Sequence, residues 1–280
     1  MEEMILEEPM EEREPVPALR FVLDVIVRPA RAFTALAERG SRGWILIGLF
    51  VLIFSLTTIW VAAPIMQEKL VKSLQTAPQI QMEGVPRSKA TPPAPPTPPP
   101  EVTQAVTNPL FTVVIPSISA FIGVILSWLL WAGVLHLLAV FLGGRSNFKT
   151  MFAAVVSASF PDGIRGLFQT IYILATHNII QNPGLSGLVP LQPERSELNP
   201  MAMMQVPIGR ILLHNFLARV DIFLVWRLFL LGLAVWATAQ LSKRRAYLLV
   251  IGVWLLFTLL TLAPALISYT LFRNFAVMGG

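Results

Sequence analysis

The side chains of this sequence that could do chemistry are Asp162, Arg165 and Arg227, three charged residues inside long apolar segments. A charge in membrane hydrocarbon is costly, so such groups face one another or the interior of a helix bundle. Asp162 and Arg165 are three residues apart and share one face of a helix. At about 1.5 Å per residue in antiparallel helices, both arginines lie about 8–9 Å from the outer boundary, with Asp162 about one turn deeper. One carboxylate could therefore pair with both guanidiniums if the two segments touch.

This intramembrane polar cluster has two interpretations. The functional one is a polar site on the pathway of a transported substrate or proton. The structural one is an ion pairing that fixes how two membrane helices pack. We favour the structural interpretation, because three charged groups make a very short pathway.

Catalytic signatures are missing from the sequence. It has no Cys, and it contains no phosphate-binding loop and no metalloprotease, serine-hydrolase or dinucleotide motif. His136, His177 and His214 lie in separate segments without a carboxylate at metal-ligand spacing. We therefore expect no enzyme, no catalytic residues, no metal site and no cofactor.

Composition indicates a membrane protein. Of the 280 residues, 13% are charged and 55% are hydrophobic, against roughly 25% and 45–50% in soluble domains. The formal charge of +5 comes with basic residues at the ends of apolar segments, which is typical of membrane proteins and does not indicate nucleic acid. The lipid bilayer is the first expected partner.

Uncharged stretches long enough to cross a bilayer predict an all-α membrane protein with five transmembrane helices and an N-terminal amphipathic helical segment. The predicted segments, in chain order, are an acidic disordered tail at 1–16, amphipathic cytosolic or interfacial helices at 17–43, TM1 at 44–66, a Pro-rich extracytoplasmic linker at 67–109, TM2 at 117–142, TM3 at 150–175, an extracytoplasmic loop at 176–220 with a surface helix, TM4 at 221–241 and TM5 at 246–272.

The amphipathic segment at 17–43 is expected to form two short helices divided by Pro29, since proline cannot donate an interior helical hydrogen bond. It either lies in the headgroup plane of the membrane or forms a soluble cap packed on the bundle. The acidic N-terminus lacks the basic start of a signal peptide.

Charge placement predicts the topology. Basic residues gather before TM1, between TM2 and TM3, and between TM4 and TM5, namely Arg39, Arg42, Arg145, Lys149, Lys243, Arg244 and Arg245. By the positive-inside rule these flanks face the cytoplasm. Five crossings then leave the N-terminus cytoplasmic and the C-terminus extracytoplasmic.

Four short motifs, in this order, resemble those of the Yip (Ypt-interacting protein) family. They are the P-x-x-x-F entry at Pro29 and Phe33, the GG-x-x-x-F turn at Gly143, Gly144 and Phe148, the serine–aromatic–proline break ending at Pro161, and the D-x-F-x-x-W segment at Asp221, Phe223 and Trp226. The resemblance covers about residues 20–270. The linker, the long loop before TM4 and Asp162 directly after the TM3 proline depart from the family pattern.

The resemblance implies a polytopic protein with a cytosolic N-terminus, and the sequence has a prokaryotic character that indicates an inner (plasma) membrane. The first hypothesis for function is a non-enzymatic scaffold or accessory subunit of a transport or trafficking complex, with other membrane proteins as partners. The second is a small permease or channel subunit that uses the Asp162 cluster, alone or as a homo-oligomer. A third is membrane shaping by the amphipathic segment.

Overall fold

The computed structural model describes residues 14–76, 108–191 and 206–278, which form helices and no strand. In chain order the α-helices are α1 (Ala18–Val27), α2 (Pro29–Arg39), α3 (Gly43–Thr76), α4 (Ile115–Phe141), α5 (Phe148–Ala158), α6 (Phe160–Thr176), α7 (Ile208–Leu217), α8 (Ile222–Ala239) and α9 (Lys243–Met278). The protein is therefore all-α. Most of the predicted acidic tail and Pro-rich linker, and residues 192–205 of the long loop, lie outside the described residues.

Among the described residues, four helices are long and apolar enough to cross a membrane, over Gly43–Lys72, Leu110–Phe141, Ile222–Ala239 and Lys243–Pro264. Their apolar side chains are widely exposed, as expected where lipid rather than protein surrounds a helix. We conclude that the chain is an integral membrane protein.

The segment predicted as TM3 consists of two consecutive helices, α5 and α6, which meet at Ser159. The Ser159 hydroxyl donates to the Val156 carbonyl at 2.6 Å, and the next helix starts at Phe160. Pro161 occupies the first turn of α6, where its missing N–H removes no helical hydrogen bond. Each of the two helices is shorter than the 18 residues of the shortest membrane-spanning candidate.

Helices α1 and α2 meet at Pro29, which starts α2. They pack on the bundle through Phe21, Val25 and Phe33, all fully buried. The opposite side of α1 carries four exposed apolar side chains at helical spacing, Leu19, Leu23, Ile26 and Val27. The segment thus packs against the rest of the protein with one side only.

The core of the bundle lies where α8 contacts α2, α5, α6 and α9. Leu230, Leu231 and Val235 of α8 are fully buried there, beside Val155 and Val156 of α5. Helix α3 runs along α6 and α5 on the other side. The α5–α6 pair is therefore enclosed between α3 and α8, and this arrangement positions the charged residues of α6 and α8.

Candidate functional site

Two ion pairs join α6 to the start of α8. Asp162 of α6 and Arg227 of α8 are 2.8 Å apart between Oδ2 and Nη1. Both side chains are about one fifth exposed, at 24% and 19%. The structure therefore brings Asp162 and Arg227 together, as the sequence analysis proposed.

The second ion pair corrects the expectation that Asp162 holds both arginines. Arg165 instead donates from Nη2 to Oδ1 of Asp221, at 2.5 Å. Asp221 is the residue directly before α8, so it lies closer to the helix end than Arg227. The long arginine side chain can reach that end, where the carboxylate is partly solvated. The cluster therefore contains two acids and two arginines in separate pairs.

Local backbone structure positions both carboxylates. Asp221 caps α8, because the same Oδ1 accepts a hydrogen bond from the Leu224 N–H at 2.8 Å. Asp162 lies in the first turn of α6, where the positive end of the helix dipole favours a negative charge. Each acid is thus positioned at a helix N-terminus, from which it reaches its arginine.

Aromatic rings flank both guanidiniums. The guanidinium carbon of Arg227 is 5.4 Å from the centre of the Trp131 ring, and that of Arg165 is 5.8 Å from the Phe223 ring. These distances fall within the range of cation–π attraction. The buried Nε atoms of Arg165 and Arg227 nevertheless find no acceptor among the described residues. The arginines thus keep unused hydrogen-bond donors beside two satisfied ion pairs.

A cavity of about 530 Å³ adjoins this cluster. Its polar lining includes Asp162, Arg165, Arg219 and Arg227, and its apolar lining includes Trp131 and other side chains of α4, α8 and α9. Cavities of this size can take a small molecule or part of a larger one. The charged cluster is therefore accessible from a cavity rather than sealed in a core.

The motif residues meet at the same interface. Phe160 contacts Trp226 edge-to-face, with ring centres 6.0 Å apart, and stacks on Phe50 of α3 at 5.4 Å. The serine–aromatic–proline break and the D-x-F-x-x-W segment are therefore in direct contact. This contact and the two ion pairs fix α6 against α8.

Steric requirements of the backbone explain why residues 143 and 144 are glycines. Gly143 has φ +82°, a left-handed conformation that favours glycine. A Cβ on Gly144 would lie 2.7 Å from the Ala239 carbonyl oxygen and 2.8 Å from that of Ala139. The turn therefore lets the ends of α4 and α8 approach closely, and Phe148 starts α5 directly after it.

The three histidines remain apart. His136 shares a hydrogen bond with the Ser146 hydroxyl, and His214 lies 2.9 Å from the Val189 carbonyl oxygen. His177 ends α6 in a left-handed conformation. Within the described ranges, no group of three or more His, Cys, Asp or Glu side chains could hold a metal ion.

Sequence reasoning missed the role of Asp221 as the partner of Arg165. Two signals were present: two acids near the membrane segments match two arginines in number, and Asp221 precedes the apolar stretch of α8 as a capping residue would. The sequence did not reveal the depth of each side chain along its helix, because it did not show that a new helix, α6, begins at Phe160.

Comparison with known proteins gives one match. A family model described as the Yip1 domain matches residues 23–263, which include both ion pairs and all four motifs. No curated protein and no solved structure matches this chain.

Proposed function

Since the chain belongs to the Yip1 domain family, we propose that it is a non-enzymatic integral membrane scaffold or accessory subunit of a transport or trafficking complex. Its partners are the lipid bilayer and other membrane proteins, either of another kind or further copies of this chain. The proposal rests on one observation above all, the uncovered apolar side of α1.

That side is formed by Leu19, Leu23, Ile26 and Val27, which we call the α1 stripe. Leu19, Leu23 and Val27 are 74%, 62% and 71% exposed, although Phe21 and Val25 on the other side are fully buried. Helix α1 is thus fixed to the bundle and presents a second apolar surface. Contiguous exposed apolar surface is typical of sites that contact another protein or a membrane.

The charged cluster supports a scaffold rather than an enzyme. Asp162 and Asp221 each accept an arginine, and Asp221 also caps α8. A general acid or base would need a carboxylate that is free to exchange a proton with a substrate. The two acids therefore serve best to hold α6 and α8 together.

Five crossings fit this proposal. Helices α5 and α6 together cover residues 148–176, which at about 1.5 Å per residue reach the thickness of a bilayer. We propose that this pair is the fifth crossing, beside the four long helices. The N-terminus and the basic flanks are then cytoplasmic, the C-terminus is extracytoplasmic, and the α1 stripe lies at the cytoplasmic surface of a prokaryotic inner membrane.

Site-specific photo-crosslinking tests the role of the α1 stripe. A photoreactive amino acid at Leu23 in the full chain, expressed in its own membrane, should crosslink to another polypeptide. The matched control places the same amino acid at Glu38, an exposed polar position of α2, and should give no such product. Crosslinks from Leu23 to lipid alone would contradict protein docking and favour the membrane-shaping hypothesis.

A second candidate function is a small permease or channel subunit, which the cavity beside the ion pairs favours. In that case Asp162→Asn would abolish flux in proteoliposomes without changing stability or yield. A normal flux in this variant, or no flux in the wild type, would eliminate the candidate.

A further inference from the structure

The cavity beside the ion pairs has one unmatched positive charge. Asp162 is matched by Arg227 and Asp221 by Arg165. Arg219, which also lines the cavity, forms no side-chain hydrogen bond or ion pair with any residue in the described ranges. An arginine guanidinium offers five donors in a planar fork that suits phosphate oxygens.

Further donors surround the same space. Ser127 and Thr258 also line the cavity, and their hydroxyls make no hydrogen bond with another described residue. The lining therefore has more donors than acceptors, which favours an anionic group with several oxygens.

The remaining wall is apolar and reaches the lipid-facing surface. Leu126 and Leu130 of α4 and Leu260 of α9 line the cavity, and they are 51%, 59% and 58% exposed. Side chains exposed on two membrane-spanning helices contact lipid tails. The cavity is thus open sideways between α4 and α9.

The cationic and the apolar parts of the cavity lie at different depths. In the proposed topology Arg219, which precedes the first residue of α8, lies at the membrane boundary, whereas Arg227 is about 8 Å along α8 from its first residue. Leu130 lies beyond the midpoint of α4. The cationic part of the cavity is therefore near the headgroup level, and the apolar part extends into the hydrocarbon.

We propose that this cavity binds one anionic membrane phospholipid, with its phosphate at Arg219 and the adjoining hydroxyl donors and its acyl chains leaving between α4 and α9. The site is independent of the scaffold function, since it needs no partner protein. The negative charge of the lipid offsets the unmatched charge of Arg219. The Arg219 guanidinium and the free hydroxyls donate to the phosphate oxygens.

Native mass spectrometry of the purified full chain tests the site. The chain in neutral detergent is titrated with dioleoyl phosphatidylglycerol or with dioleoyl phosphatidylcholine. We expect one tightly bound phosphatidylglycerol and clearly weaker phosphatidylcholine binding. Arg219→Gln should weaken phosphatidylglycerol binding by about tenfold, and Arg219→Lys should restore part of it.

Gly123 allows a second, steric variant. It lines the cavity, and a Cβ there would meet no atom within 4 Å, so Gly123→Leu should fold and obstruct the cavity. Gly133 on the same helix has equally open surroundings but does not line the cavity, so Gly133→Leu is its control. Arg244→Gln, at the opposite end of the bundle, is the control for Arg219→Gln.

Three results would overturn the proposal. The first is equal affinity for the two lipids, and the second is unchanged phosphatidylglycerol binding in both Arg219→Gln and Gly123→Leu. The third is displacement of the lipid by millimolar inorganic phosphate, which would assign the arginines to a soluble anion. Thermal unfolding of every variant separates lost binding from lost folding, and any misfolded variant is replaced by Arg219→Ala or Gly123→Met.

Discussion

Asp162 and Asp221 balance the charges of Arg227 and Arg165 where α6 meets α8. Each acid meets one arginine, and an acid that is removed leaves a partly buried guanidinium without a counter-charge. Removing one partner of a buried ion pair leaves the other charge uncompensated. This is more destabilising than replacing both partners with apolar residues. The two carboxylates therefore act on stability through the arginines they neutralise.

We predict that Asp162→Asn lowers the free energy of unfolding in detergent by about 2 kcal/mol, less than for a fully buried pair because both side chains are partly exposed. Thermal or denaturant unfolding measures the change. Adding Arg227→Met to Asp162→Asn should recover part of the loss, since no unpaired charge remains. A wild-type stability of Asp162→Asn would contradict the structural role.

We predict that Gly144→Ala lowers the free energy of unfolding by about 2 kcal/mol, because its Cβ would overlap two backbone carbonyl oxygens. Gly133→Ala on the preceding helix α4 is the control, since its Cβ would meet no atom within 4 Å. The control should be neutral or slightly stabilising. Equal effects of the two variants on the melting temperature would refute the steric account of the glycine pair.

The sequence predicted contacts of single residues where an uncompensated charge in the membrane would be costly. The cost of an intramembrane charge predicted that Asp162 and Arg227 would meet, and they do. The same reasoning offered Asp162 as a possible partner of Arg165 as well, but Arg165 pairs with Asp221, because depth counted along an idealised helix ignores the reach of the arginine side chain.

At the scale of elements, hydrophobic length predicted the four long helices well, since bilayer thickness fixes how many apolar residues they need. The segment at 150–175 was harder to interpret. Its length fits one crossing, but the Ser159 hydrogen bond and Pro161 in the next turn divide it into α5 and α6. Whether a proline interrupts a helix or begins a new one depends on packing that hydropathy does not contain.

Phe160 of α6 contacts Trp226 of α8. We predict that Phe160→Ala and Trp226→Ala are non-additive, with a coupling energy of about 1 kcal/mol, as for other edge-to-face pairs. A double-mutant cycle on the free energy of unfolding measures it. Phe168→Ala with Trp226→Ala provides the control, because the Phe168 ring contacts Phe223 instead. Additive effects of Phe160→Ala and Trp226→Ala would show that the two motifs do not stabilise each other.

At the scale of the whole molecule, the proposed topology places the turn before α9 in the cytoplasm and the loop after α6 outside. The chain has no Cys, so single cysteines report on each side without background. We predict that Leu188→Cys reacts with a membrane-impermeant maleimide in intact cells, whereas Arg244→Cys reacts only after permeabilisation. Both positions are exposed on the protein. The reverse pattern would invert the topology and move the α1 stripe to the outer surface.

The central claim, a scaffold that binds another membrane protein through the α1 stripe, is tested most directly by quantitative purification from native membranes. The full chain is tagged, solubilised gently and compared with Leu19→Ser/Leu23→Ser and with Arg20→Gln, a control on the same helix. We predict one protein in stoichiometric amount with the wild type and with Arg20→Gln, and its loss with the double variant. Recovery of the wild type alone and as a monomer, or identical partners for all three, would contradict the claim.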